Sequence, residues 1–251
     1  MSKLSGKERW LPVAFLFALL TGAACLSFSF TSGNANEKPN VSVPSVSAIN
    51  TVNTRLYDSL HLDETGLSRN AFQYAITGYN KLLAEGKIQN DSVLSIVDFS
   101  LSSGKKRLFV INPKTGNMLF NTYVSHGKNS GDDIATSFSN EPNSFKSSLG
   151  FYVTGNTYKG EHGYSLRLIG EEEGINDNAL SRGIVMHSAW YVSEKLARKR
   201  GFIGRSQGCP AIPTTVYKSI IQKIKDGSCL FLYGSDKLYT SSSRLIQPEL
   251  S

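Results

Sequence analysis

The sequence predicts a mainly β domain with a few packed helices, and three observations carry that expectation. Short runs rich in Val, Ile, Phe and Tyr recur between Gly-, Asn- and Ser-rich loops over residues 93–233. Only three stretches between residues 52 and 239 read as helices. A content of 40% hydrophobic and 10% aromatic residues over 251 positions suits a sizeable globular core.

The N-terminal segment differs in kind from this body. Lys3, Lys7 and Arg9 precede an almost uncharged apolar run from Trp10 to Phe30, the layout of a secretory signal. The run is also about long enough to span a bilayer, while Gly33-Asn34-Ala35 offers small residues for cleavage. Residues 1–35 are therefore expected to be a signal peptide cut near Ala35, or else a retained N-terminal anchor. Cys25 follows Gly22-Ala23-Ala24, but no Leu stands three positions before it, so lipid modification is not favoured. Residues 36–51, rich in Asn, Ser, Pro and Val, suit a flexible linker. A single folded domain is expected over 52–239, and the Ser-rich 240–251 reads as a surface or disordered tail.

Within the domain, a helix is expected from an N-cap at Ser68 to Glu85, stopped by Gly86, because Phe72, Ala75, Ile76, Tyr79, Leu82 and Leu83 share one face. Strands follow at Val93–Phe99, Arg107–Ile111 and Met118–Val124, the last two joined as a hairpin through Asn112-Pro113-Lys114-Thr115-Gly116. Further strands are read at Leu149–Thr154, Tyr164–Ile169, Gly183–His187 and Cys229–Tyr233. Two more helices are read at Val192–Arg200 and at Thr214–Asp226, where Val216, Ile220, Ile221 and Ile224 make an apolar face.

The net charge of +7 comes without an arginine-rich stripe or interleaved aromatic and basic residues, so nucleic acid is excluded as a partner. His61 with Asp63 and Glu64 lacks a second ligand pair, so no metal site is expected. The acidic run Glu171-Glu172-Glu173, followed by Gly174, reads as a solvated loop.

Chemistry concentrates in Arg205-Ser206-Gln207-Gly208-Cys209-Pro210. Cys209 stands among small and polar residues that leave a thiol accessible, whereas Cys229 stands beside Leu230, Phe231 and Leu232 as a buried cysteine would. A disulfide between the two is the simplest competing reading for an exported chain. A nucleophilic thiol needs a base near neutral pH, which points to histidine. His187 ends the apolar run Gly183-Ile184-Val185-Met186, so a strand would deliver it rigidly, with the carbonyl of Ser188 available to orient its ring. Gly208 lets the backbone turn tightly, so that its N–H and that of Cys209 can face a developing oxyanion. His126-Gly127 and His162-Gly163 lie in loops that either line the groove or are solvated.

His187-Ser188 followed by Arg205-Ser206-Gln207-Gly208-Cys209-Pro210-Ala211 resembles the YkuD-type L,D-transpeptidase catalytic domain, in particular its murein branch with a Ser-x-Gly-Cys-Pro-Ala signature. Arg107-Leu108-Phe109-Val110, Thr115-Gly116, Ser125-His126-Gly127, Ala135-Thr136-Ser137-Phe138-Ser139 and Ser148-Leu149-Gly150-Phe151-Tyr152 resemble that branch in order, over about Leu94 to Tyr233. The resemblance implies an L,D-transpeptidase-like β-sandwich or barrel. It also implies that Cys209 forms a thioester with a peptidoglycan tetrapeptide stem, releasing D-alanine, before an amine of a second stem takes the acyl group. His187 would then be base and acid, the Ser188 carbonyl its orienter, Gly208 with Cys209 the oxyanion hole, and Ser206 a support of the loop. Gln207, Pro210 and Ala211 depart from the better-known branch, which has His before the Gly and an apolar residue then Arg after the Cys. Arg205 or Arg182 would then meet the substrate carboxylate, with His126 as a further groove residue. No metal or organic cofactor is implied, the partners are peptidoglycan stem peptides, and the place of action is the periplasm or cell envelope. Hydrolysis of cell-wall peptides by the same thiolate and a noncatalytic wall-binding module are the competing functions.

Overall fold

The computed structural model describes residues 54–247. The signal or anchor expected over 1–35, the linker over 36–51 and the last four residues lie outside that range. One mixed sheet of eight strands holds the domain together: β1 (Leu94–Asp98), β2 (Leu108–Asn112), β3 (Asn117–Thr122), β4 (Gly150–Gly160), β5 (Gly163–Gly170), β6 (Val185–Ala189), β7 (Ala211–Pro213) and β8 (Cys229–Tyr233). Their order across the sheet is β3-β2-β1-β8-β4-β5-β6-β7. The mainly β architecture with a few packed helices is thus the one the sequence predicts.

The centre of the sheet is deeply buried. Every residue of β1 and β8 is buried, and the two run parallel from Leu94↔Cys229 to Asp98↔Tyr233. Burial of every position, with a continuous apolar run in β8, belongs to strands covered on both faces. Helix α1 (Arg69–Ala84) covers one of them, starting at Ser68, whose Oγ accepts from the Ala71 N–H at 3.2 Å. Its Gly78 sits against Phe151, where an added Cβ would fall 2.1 Å from the ring. A glycine inside a helix costs about 1 kcal/mol relative to Ala, and here it lets the helix close on the sheet. Phe151 in turn stacks on Phe231 with ring centroids 4.2 Å apart. Helix α3 (Tyr217–Ile224) buries Ile220, Ile221 and Ile224 fully, and truncating any one of them to Ala would cost about 2–5 kcal/mol.

Three findings differ from the sequence reading. Strand β7 is additional: only three residues long and ended by Pro213, it pairs parallel to β6 from His187↔Ala211. Residues 241–247 are no surface tail. Helix α4 (Lys237–Ser242), capped by Asp236 Oδ1, turns Tyr239 inward, and Leu245 and Ile246 are buried. The acidic run is not simply a solvated loop either. Glu172 is buried, accepting from the Phe151 N–H at 2.8 Å, the Tyr239 hydroxyl at 3.1 Å and the Ser243 hydroxyl. Burial raises its pKa, and those same donors hold it down.

After β3 the chain passes beside β7, the far end of the sheet order. The Ser125 N–H donates to Ala211 O at 2.8 Å, and Gly127 bridges to Ser206. The two ends of the sheet are thereby drawn together around the segment that carries Cys209. Helix α2 (Glu194–Arg200), N-capped by Ser193, links β6 to that segment.

Candidate active site

Strand register brings the thiol and the imidazole to one place. His187 pairs with Ala211 across β6 and β7, so Cys209, two residues before Ala211, falls at the level of Val185. In a strand, residues two apart face the same side at a spacing of roughly 6.6 Å. The contact bears this out, since the Val185 N–H lies 3.4 Å from Cys209 Sγ. Both side chains open on one cleft of about 490 Å³, shared with Arg182, Tyr191, Arg205 and Gln207. Tyr191 belongs to the chain just after β6.

The loop before Cys209 is held by one hydroxyl. Ser206 Oγ accepts from the Gly208 N–H at 3.1 Å and donates to Cys209 O at 2.6 Å. Gly208 has φ +123°, and a Cβ there would meet Lys146 O at 2.9 Å and Ile184 Cδ1 at 3.1 Å. Only glycine meets both conditions. Its N–H is not the free oxyanion donor that the sequence suggests, because Ser206 already occupies it. The Cys209 N–H engages no acceptor among the described residues, so it is the donor still open. Gln207 is exposed at the cleft rim.

His187 is 3% exposed. Its Nδ1 lies 3.0 Å from Ser188 O; a carbonyl can only accept, so Nδ1 carries the proton and Nε2 the lone pair. Nε2 has no partner among the described residues and is the atom able to take a proton. Burial lowers the pKa of His187, the Ser188 carbonyl acts against that, and a charge on His162 acts with it. Burial likewise raises the Cys209 pKa, while the Val185 N–H and the Arg182 charge favour the thiolate. A raised thiol beside a lowered imidazole is a neutral pair at rest. The thiolate then forms as Nε2 accepts the proton during attack.

His126 stands elsewhere, and its place as a groove residue is corrected. It is fully buried: Arg107 Nη2 donates to its Nδ1 at 2.7 Å, and its Nε2 donates to Gly131 O at 3.1 Å. Burial, and then the neighbouring Arg107, push its pKa down to about 4. Both nitrogens are committed, so it supports the loops under the cleft and cannot meet substrate. Arg107, itself fully buried, also donates to Val124 O at 3.0 Å and Leu101 O at 2.8 Å.

The two candidate carboxylate binders also differ. Both nitrogens at the tip of Arg182 are tied, Nη1 to Ser139 O and Ser148 Oγ, and Nη2 to Ser144 Oγ and Lys146 O. Its charge acts on the thiol, but its fork is spent on the scaffold. Arg205 uses Nη1 alone, towards Lys128 O, Gly131 O and Asp132 Oδ1, and so keeps donors for a ligand. Lys128 at the rim had no sequence signal beyond its charge.

No disulfide joins Cys209 to Cys229, the two cysteines among the described residues: Cys209 is free and half-buried, and Cys229 is free and fully buried in β8. Of the two glycine-loop histidines, His162 does line the cleft, its ring stacked on that of His187.

A family profile for the L,D-transpeptidase catalytic domain, YkuD_2, matches residues 63–233. No curated protein matches the chain. Among solved structures, an L,D-transpeptidase from Mycobacterium smegmatis is 14% identical with a TM-score of 0.36, over 57% of this chain and 59% of that one. The helical cell shape determining protein of Campylobacter jejuni is 11% identical with a TM-score of 0.37, over 64% and 57%. This chain therefore spans less than two thirds of either.

Proposed function

Since the chain belongs to the L,D-transpeptidase catalytic-domain family, we propose that it is an exported murein L,D-transpeptidase acting in the periplasm or cell envelope. Cys209 Sγ attacks the carbonyl of the residue preceding D-alanine in a tetrapeptide stem, and His187 Nε2 takes the thiol proton. The C–N bond breaks, the same proton passes to the departing amine of D-alanine, and a thioester remains. An amine of a second stem then attacks the thioester and loses its proton to His187, the C–S bond breaks as the new C–N bond forms, and His187 returns the proton to Cys209 Sγ. The Cys209 N–H faces the oxyanion in both halves, and Arg205 meets the stem carboxylate.

The observation that carries this reading is that one cleft is lined by a half-buried thiol and by a histidine whose Nδ1 is fixed by Ser188 O and whose Nε2 is open. A wall-binding module has no use for that arrangement. The test is to incubate purified protein and Cys209→Ala with disaccharide-tetrapeptide, following products and intact protein mass. A covalent acyl adduct with D-alanine release and cross-linked dimers, all absent in the variant, is the expected result. Tripeptide without dimers would replace the amine acceptor by water, and a folded protein forming neither adduct nor product would overturn the reading.

A further inference from the structure

The hairpin of β4 and β5 carries a second imidazole onto the first. The two strands pair outward as far as Gly160↔Gly163, whereas β5 meets β6 only at Leu166 and Arg167. The outer part of the hairpin therefore projects past the sheet without a neighbouring strand. Glu161 and His162 form its tip, with Gly163 at φ +77° completing the turn. Both tip residues line the cleft. There the His162 ring lies on the His187 ring, centroids 4.2 Å apart and planes within 20°. The stacked ring of His162 thus forms part of the cover over His187.

We propose that His162 is a positioning residue for the base: its ring covers one face of the His187 imidazole, so that Ser188 fixes the edge of the ring, His162 fixes its plane, and Nε2 is left open to the cleft. The role rests on His187 being the base of acyl transfer. A side chain held at one edge by a single hydrogen bond can still rock about that bond, and a second flat surface removes this freedom. Displacement of a reacting group by about 1 Å can cost on the order of 100-fold in rate.

The stack has an electrical consequence as well. A charge on His162 opposes a charge on His187, in the same direction as the larger effect of burial. The charged and titratable groups facing the pair are Glu161 of the same turn, Lys128 from the β3–β4 connection, Arg182 ahead of β6, Tyr191 after it, and Arg205 and Cys209 from the segment before β7. Glu161 is the one carboxylate among them, and of all these neighbours only His162 adds its charge to the effect of burial on His187.

The test compares purified protein with His162→Ala and His162→Phe, by NMR of labelled histidine rings and by kcat and KM on disaccharide-tetrapeptide, with His187→Gln identifying the signal. Ring-current displacement of the His187 resonances should vanish in His162→Ala and persist in His162→Phe. The His187 titration midpoint should rise in both, because the opposing charge is gone. We expect kcat to fall about tenfold in His162→Ala with KM within about twofold, and His162→Phe to recover kcat to within about threefold of wild type. An unmoved His187 midpoint in His162→Phe, or wild-type kcat in His162→Ala, overturns the proposal. The NMR arm needs no substrate. A wild type that turns over no muropeptide sinks the transpeptidase reading, while the ring signals still decide whether His162 governs His187.

Discussion

Two histidines lie close in the fold, and the way they differ explains which one can do chemistry. His126 and His187 are 0% and 3% exposed, and burial lowers the pKa of both. Burial therefore does not distinguish them. What distinguishes them is the second nitrogen. His126 accepts from Arg107 and donates to Gly131 O, and so is closed at both ends. His187 donates to Ser188 O and keeps Nε2 free. A base is a histidine held by one nitrogen, and a brace is a histidine held by two.

The sharpest way to break this comparison is to make the same substitution at both positions. In His187→Gln, turnover of disaccharide-tetrapeptide should fall about 1000-fold, the range for losing a general base. In His126→Gln, whose amide can still accept from Arg107 and donate to Gly131, turnover should stay within about threefold of wild type. If the two variants lose activity equally, the open nitrogen is not what matters.

The next effect is on stability and separates the pair by pH. His126 has a pKa of about 4 in the fold against 6.5 for an ordinary histidine. Between those values the unfolded chain binds more protons than the folded one, so stability rises with pH. The contribution of neutral His126 is whole above pH 6.5 and is lost as the pH falls to about 4, amounting to about 3 kcal/mol. His187 is shifted in the same direction and adds to the slope. Urea unfolding from pH 7 to pH 4 should show that slope in wild type and a shallower one in His126→Gln. Equal slopes would mean that His126 is not the buried neutral group described.

The sequence reveals the strands and the reactive segment more readily than it reveals which side chains are closed off. Cys229–Tyr233 declares itself because a doubly covered strand can be apolar throughout, and Leu94–Asp98 does so through Leu94, Ile96 and Val97. Ala211–Pro213 does not, since three residues ending in proline give no period to read. The C-terminal segment hides its burial because α4 turns only Tyr239 inward, with Leu245 and Ile246 beyond its end. Cys209 and Cys229 could be told apart from their neighbours in sequence. His126 and His162 could not, because both precede a glycine in a loop and only the fold sets one beneath the cleft and the other above it. Lone residues are legible when local composition fixes their surroundings, and illegible when a distant strand supplies the partner.

The cysteines extend the comparison from proton transfer to access. Under native conditions iodoacetamide should label the Cys209 peptide at least ~100-fold faster than the Cys229 peptide, because Cys229 becomes reachable only through opening of the central sheet. The Cys209 rate should climb through an alkaline midpoint, since burial raises that thiol above its ordinary range. Peptide mass spectrometry after timed quenching measures both. Labelling of Cys209 that is already maximal at pH 6 would mean a thiolate at rest, and with it an ion pair in place of the neutral pair described above.

Ser206 joins the two regions and gives the smallest effect. Its N–H donates to His126 O at 2.9 Å, and its hydroxyl holds the Gly208 N–H and Cys209 O. Ser206→Ala keeps the backbone link to His126 and removes the clasp on the nucleophile's loop. Losing these bonds at a buried site should cost about 1–2 kcal/mol in unfolding free energy. The pH slope from His126 should not change, because neither of that ring's partners has been touched. Turnover should fall about tenfold with KM little altered, since the thiol stays in the cleft but its loop can shift. The substitution also frees the Gly208 N–H. If that N–H joined the Cys209 N–H in holding the oxyanion, turnover would rise instead, and the clasp would have to be read as a restraint on the reaction.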